Sequence, residues 1–253
     1  MADIKDIDPE YPVRIEYLNE ATSTNDLASA KNKRHGDVIW VENQTKGRGQ
    51  RGNSWNSVTG ENLTFSLVIE PENLPAERQF YISKIVSISI VEILANFGLT
   101  AEIKWPNDIY INDRKIAGIL IENDMQGANI AKSILGIGLN VNQDAFDPSL
   151  PNPTSMRLET GKSFDRKIIL EEILNRILGW NQRLTEGLGS EIDDVYSCHL
   201  YRKEGTFLFQ EPTGGAFEAS IVKVEPSGEL ILRRSDGISK GYFFKEVEFV
   251  IKK

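Results

Sequence analysis

The sequence is short of the residues that most often carry covalent chemistry. Its 253 residues include one cysteine, Cys198, and two histidines, His35 and His199. A single cysteine excludes an internal disulfide and fits a reducing cytosol. The two histidines show no zinc-ligand spacing and supply no Ser-His-Asp or Cys-His arrangement. No apolar run is long enough to span a bilayer. The opening stretch, MADIKDIDPEYP, lacks the basic and apolar regions of a signal peptide. No Lys/Arg-rich run stands out, and the formal net charge is −8. That balance argues against broad DNA binding, which depends on neutralising phosphates. Repeats and low-complexity segments are also missing. These absences leave a soluble, cytoplasmic, globular enzyme as the expectation.

What is present reads as an α+β chain. Val13 to Leu18 alternates and predicts a strand. TSTNDLASAKNKR follows as a helix, with Thr22, Ser23 or Thr24 as N-cap candidates. Strands are expected at Val38 to Gln44 and at Leu63 to Ile69. Helical spacing of Ile82, Val86, Ile90, Ile93, Leu94 and Phe97 predicts a buried helix over 78–97, stopped by Gly98. Short strands flank WPND, NDR at 112–114 forms a hairpin turn, and apolar strands cover 115–123 and 131–141. Gly136 and Gly138 leave one face of the last strand bare, which implies either close approach of a ligand or a crowded helix contact. Helices are expected at 165–184 and 191–203. From Gly205 the texture changes to short alternating strands separated by PTGG, EPSG and SDG. The expected division is a larger part, 1–200, and a small β-barrel, 201–253.

The densest signal is QTKGRGQRGNSW, Gln44 to Trp55, where three glycines surround Arg48 and Arg51. Glycine lets backbone approach a ligand, and arginine pairs bidentately with carboxylate or phosphate. GRGQRG spells a dinucleotide fingerprint, yet no helix follows it, and it lacks the G-K-[ST] ending of a phosphate loop. Alone it reads as a basic surface hairpin. It does not stand alone. KWPNDIYINDRKIAGILIE adds Lys104, Asn107, Asp108 and Lys115, TSTN adds hydroxyls and amides, and GIGLN adds Asn140. Together these segments describe a polar pocket with several cations and no nucleophile. Trp55 and Trp105 are alternatively core aromatics, and Asp108 a turn cap.

The ordered set STN, QTKGRGQRGNSW, KWPND with DRKIAGILIE, and GIGLNVN resembles the biotin–protein ligases. The resemblance runs from about Val13 to Val141 and continues more weakly to the C-terminus. It implies a central mixed sheet with helices, of the class II synthetase-like kind, and a small SH3-like C-terminal barrel. It implies an enzyme that activates biotin with ATP and Mg²⁺ as biotinyl-5′-AMP. The biotinyl group then passes to one lysine of a biotin carboxyl carrier protein. By the same resemblance, Ser23, Thr24, Asn25, Gln44, Gly47, Arg48, Gly49, Gln50, Lys115, Gly118, Gly136 and Gly138 bind biotin. Arg48, Arg51, Trp55, Asn107, Lys115 and Asn140 bind the nucleotide, and Lys115 and Arg48 are the catalytic cations. Gln50 stands where several relatives carry another arginine. No metal is held by the protein itself, no membrane contact is expected, and a homodimer is possible. The catalytic motifs begin near residue 20, so the winged-helix DNA-binding domain of many bacterial members is not expected, nor is DNA as a partner. Alternatives in view are a lipoate or octanoate ligase, a biotin-responsive regulator, and an inactive biotin-binding module.

Overall fold

The computed structural model describes residues 10–251, except the side chain of Arg51. A seven-stranded mixed sheet organises the larger part, in the order β1-β2-β3-β7-β6-β5-β4. Its strands are β1 (Arg14–Ala21), β2 (Asp37–Gln44), β3 (Leu63–Ile69), β4 (Glu102–Lys104), β5 (Asp108–Ile111), β6 (Arg114–Gln126) and β7 (Asn129–Leu139). β1 and β2 run parallel, and the remaining neighbours pair antiparallel.

Side chains alternate across a strand, so each strand writes two lists. Val38 and Trp40 of β2, with Leu63, Phe65, Leu67 and Ile69 of β3, face the main core. There they meet the helices α2 (Phe80–Asn96), α4 (Arg166–Thr185) and α5 (Gly189–Cys198). Ile39 and Val41, with Val68 and Ile134, face the other way into a smaller cluster under α1 (Thr24–Ala28). Helix α2 buries residues on nearly every side, which fits its place between sheet and helices rather than at a surface. It ends at Asn96, with Gly98 in the left-handed region at φ +79°.

The C-terminal region is a five-stranded antiparallel sheet, β11-β10-β9-β8-β12. It comprises β8 (Phe207–Gln210), β9 (Ala216–Val224), β10 (Leu230–Arg234), β11 (Ser239–Tyr242) and β12 (Glu248–Phe249). Its inward residues, Phe209, Ile221, Leu230, Leu232 and Tyr242, join the same apolar cluster as the larger part. Lys84 of α2 pins the seam. It is buried, ion-paired to Asp193 at 2.6 Å, and donates to the Val224 carbonyl at 2.8 Å.

Two helical expectations need correction, and one short helix lies where none was expected. The helix after β1 covers only Thr24–Ala28, because the chain then turns to deliver β2 alongside β1. The helix expected at 191–203 begins earlier and ends at Cys198, where residues 199–201 hydrogen-bond beside β4. A short helix, α3 (Met156–Thr160), lies inside a stretch that showed no period; the Ser155 hydroxyl caps it by accepting from the Leu158 N–H.

Candidate active site

The register of three strands builds the floor of one cavity. Thr64 pairs with Gly138, and Gly138 pairs with Gly118, which in turn pairs with Asp108. One step along, Ser66 pairs with Gly136 and Gly136 with Leu120. All of these lie on the face opposite the main core. The result is a trough whose middle carries hydrogen atoms in place of side chains. A cavity of about 190 Å³ sits above it.

The glycines are not left bare. A methyl group on Gly136 would lie 2.3 Å from Asn25 Oδ1, and one on Gly138 would lie 2.2 Å from the Trp55 ring. The close approach is therefore made at Gly136 by Asn25 of α1, a crowded helix contact, and at Gly138 by Trp55 of the Gly/Arg loop. Gly47 serves the same packing from above, since a methyl there would meet the Trp55 carbonyl at 2.2 Å.

One end of the cavity is neutral and closely bonded. Ser23, Thr24 and Asn25 open α1 and are nearly fully buried. The Thr24 N–H donates to Gln44 Oε1 at 2.7 Å, and the Thr24 hydroxyl reaches the same oxygen at 3.2 Å. The buried Ser66 hydroxyl donates to Asn25 Oδ1 at 2.6 Å and lies 2.7 Å from Thr24 Oγ1. Asn25 Nδ2 donates to Glu122 Oε2 at 2.7 Å. Such a network holds each amide in one orientation, ready for a ligand with both N–H and C=O groups.

The other end is charged. Lys115 Nζ lies 2.6 Å from Asp108 Oδ1, an ion pair whose angle does not make a directed hydrogen bond. The same ammonium stands 5.7 Å from the Trp55 ring centre. Lys104 projects between the rings of Tyr110 and Phe249, and burial pulls its pKa below the usual lysine range. Asn107 is fixed by donating to the Ile119 carbonyl at 2.9 Å.

The Gly/Arg loop roofs the site as a tight hairpin. Arg48 bridges to Ser54, and Gln50–Gly52 form one 3₁₀ turn. Arg48 donates to both oxygens of Glu122 at 2.8 Å and lies 2.8 Å from Asp26. The Glu122 hydrogen bonds hold its guanidinium above the usual arginine range. Gln50 Oε1 and Trp55 Nε1 are buried without a hydrogen-bond partner in the protein. Such atoms are costly unless a ligand or water serves them.

The cavity wall includes Ser23, Thr24, Asn25, Gln44, Arg48, Gly49, Gln50, Trp55, Asn107, Lys115, Gly118, Gly136 and Gly138. Two expected residues stand elsewhere. Gly47 packs behind the loop. Asn140 is buried outside the wall, where its amide ties the Thr154 carbonyl at 2.9 Å. The side chain of Arg51 lies outside the described residues. Sequence reasoning had passed over Thr64 and Ser66, which strand alternation could have found, and Glu122 and Phe244, which carry no local signal. Trp105 is a core residue at the seam, donating to the Gly228 carbonyl at 3.0 Å. Asp108 is a wall residue as well as a turn residue. Among the described residues, no group of three or more His, Cys, Asp or Glu could hold a metal ion, and no helix is long and apolar enough to cross a membrane.

Comparison with known proteins agrees with this geometry. The biotin/lipoate A/B protein ligase family matches residues 17–140. The bifunctional ligase/repressor BirA of Bacillus spizizenii is 30% identical over 228 residues, covering 87% of this chain and 68% of that protein. The biotin–[acetyl-CoA-carboxylase] ligase of Paracoccus denitrificans is 28% identical, covering 78% of this chain and 85% of its own length. The structure of biotin protein ligase from Aquifex aeolicus with biotin and ATP superposes with a TM-score of 0.78 at 26% identity, over 93% of this chain and 99% of that one. Shared sequence and fold lead to one assignment: the chain belongs to the biotin/lipoate A/B protein ligase family, among its biotin protein ligases.

Proposed function

We propose that this cavity joins biotin to ATP and then hands the biotinyl group to a lysine of a carboxylase's biotin carboxyl carrier domain. The observation that carries the reading is one trough with a neutral amide-rich end and a cationic end, joined over glycines. A ureido ring offers two N–H donors and one carbonyl, which suits Ser23, Thr24, Asn25 and Gln44. The acid tail would lie along Gly136, Gly138 and Gly118 toward Lys115.

The chemistry explains the charge. A carboxylate is a poor electrophile, so its oxygen attacks the α-phosphorus of ATP and diphosphate leaves. Two anions meet in that step, and fixed cations lower its barrier. Lys115 is the residue we assign to the carboxylate–phosphate junction. In the second step a lysine amine attacks the acyl carbon, AMP leaves, and the amine loses a proton. Lys115 again faces the developing charge. Arg48, Asn107 and Trp55 are assigned to the nucleotide side, with Gly49 and Gln50 in the covering loop. Asn140 would act from behind, by holding the loop at Thr154.

The donor set fits Mg²⁺ as the companion of the triphosphate, which usually keeps its waters and takes one or two protein oxygens. Asp108 is the carboxylate within the wall that could serve it, and the ion would supply charge neutralisation.

A cavity of about 190 Å³ is smaller than the roughly 300–1,000 Å³ of ordinary small-molecule sites. The Trp55 indole covers Gly138 and Gly118, so on this reading it must shift before the acid tail lies along them. We further propose a cytoplasmic protein that works without DNA, a division near residue 200, and dimerisation through a sheet edge as an option for its assembly. Incubation with biotin, ATP, Mg²⁺ and a carrier domain tests the reading, with one biotinyl mass increment on one lysine as the expected result. Lipoate or octanoate attached in its place, or no transfer, would count against it.

A further inference from the structure

Glu122 has no part in the chemistry set out above, yet it touches both halves of the site. It lies on β6 two residues beyond Leu120, on the strand face that carries Gly118 and Leu120. Its Oε2 accepts from Asn25 Nδ2 at 2.7 Å. Both its oxygens also accept from Arg48, each at 2.8 Å, across 74 residues of sequence. Asn25 is itself fixed by Ser66 at 2.6 Å, and Ser66 by the strand register. One carboxylate therefore joins the amide end of the trough to the arginine of the roof.

We propose that Glu122 is a positioning residue that couples occupation of the amide end to closure of the Gly/Arg loop. The proposal rests on the function argued above. Three features support it. The fork-to-fork pairing with Arg48 fixes the guanidinium in plane as well as in place, which a single contact would not do. The shared oxygen means that Asn25 cannot turn toward a ligand without changing what Arg48 feels. The pair is also half-exposed, with side chains 42% and 37% accessible. Exposed pairs of this kind are weak, so this one can open to admit a nucleotide and close again.

Two substitutions separate the halves of the role. Glu122→Gln keeps an oxygen for Asn25 and weakens the hold on Arg48. Glu122→Ala removes both. The position faces solvent in part, so folding is checked by circular dichroism, and the isosteric Gln variant carries the test alone if the Ala variant is unstable. The readouts are KM for biotin in biotin-dependent diphosphate exchange and the rate at which biotinyl-AMP leaves the purified complex.

For Glu122→Gln we expect adenylate release faster by at least about fivefold, the lower end of ordinary site-to-site coupling, with a rise in KM for biotin smaller than in Glu122→Ala. For Glu122→Ala both quantities should rise. In an Arg48→Ala background, Glu122→Gln should add nothing to the release rate, because the partner it acts through is gone. A release rate unchanged in Glu122→Gln, or additive effects in the double variant, would overturn the proposal. Absence of adenylate in the unaltered protein would instead sink the function on which it rests.

Discussion

At the amide end of the trough, Ser23, Thr24 and Asn25 are 2–3% exposed and carry no charge. At the phosphate end, the Arg48 and Lys115 side chains keep 42% and 32% of their surface, and each already faces a carboxylate. The first end spends burial on geometry: neutral groups hold one another in fixed orientation at little electrostatic cost. The second end keeps its cations solvated and provisionally paired. Asp108, Glu122 and Asp26 stand where phosphates and a carboxylate would otherwise compensate them. On the function proposed, recognition of the ring would be set in the fold, while the cations for the anionic groups would stay adjustable until those groups arrive.

The largest expected effect breaks the charged end. Lys115→Ala should lower turnover by about 10²–10³-fold, the scale of a lost oxyanion-type contact. Single-turnover kinetics on both half-reactions would check it, and a near-normal rate would remove Lys115 from the role. The next breaks the neutral end. Gly136→Ala drives a methyl group to 2.3 Å from Asn25 Oδ1. Displacing that amide leaves buried partners unpaired, at about 1–3 kcal/mol, so KM for biotin should rise roughly tenfold or more. Diphosphate exchange at varied biotin measures this, and KM for ATP should move far less.

A third variant sharpens the contrast. Arg48→Ala should cost about 0–1 kcal/mol in stability, as exposed pairs do. It should nevertheless release free biotinyl-adenylate, seen as unselective labelling of bystander lysines. Tight retention of the adenylate would contradict the assignment of Arg48.

The smallest effect lies outside the site. Burial pushes the Glu42 carboxyl up, but hydrogen bonds from Arg166 and Tyr17, with the Arg166 charge, leave it net below the usual range. A depressed carboxylate stabilises the fold above its unfolded pKa. That stability is lost as pH falls through the lower folded value. Glu42→Gln should therefore flatten the acid limb of the stability curve below about pH 4.5. Urea melts at pH 3 to 7 would show it, and parallel curves for both proteins would refute it.

Strands were the most legible part of the chain, and for a physical reason. β9 follows its apolar alternation to the residue, because a half-buried sheet fixes which face each side chain takes, and β3, buried on both faces, keeps its expected bounds as a short apolar run. The C-terminal sheet was equally readable from its turns. Helix ends were less so, since the chain leaves α1 at Ala28 to satisfy strand pairing that no local residue announces. Gly136 and Gly138 advertised close approach correctly but not its source, which proved to be Asn25 and Trp55. Asn140 shares a motif with the pocket glycines yet ties the Thr154 carbonyl, because β7 ends at Leu139 and strand alternation no longer fixes its direction. The Arg48–Glu122 pair is a contact of tertiary register, and nothing within either motif encodes it.

Phe244 gives the site a timetable. It lines the cavity although it belongs to the segment that follows β11, in the last sheet. Chains emerge and fold from the N-terminus. The amide end and the Gly/Arg loop are therefore synthesised long before the wall they share with the last sheet. A nascent chain would hold an unfinished pocket, open on the side where a reactive acyl-adenylate must be retained. The pocket's wall is completed only when the last sheet has formed against the larger part.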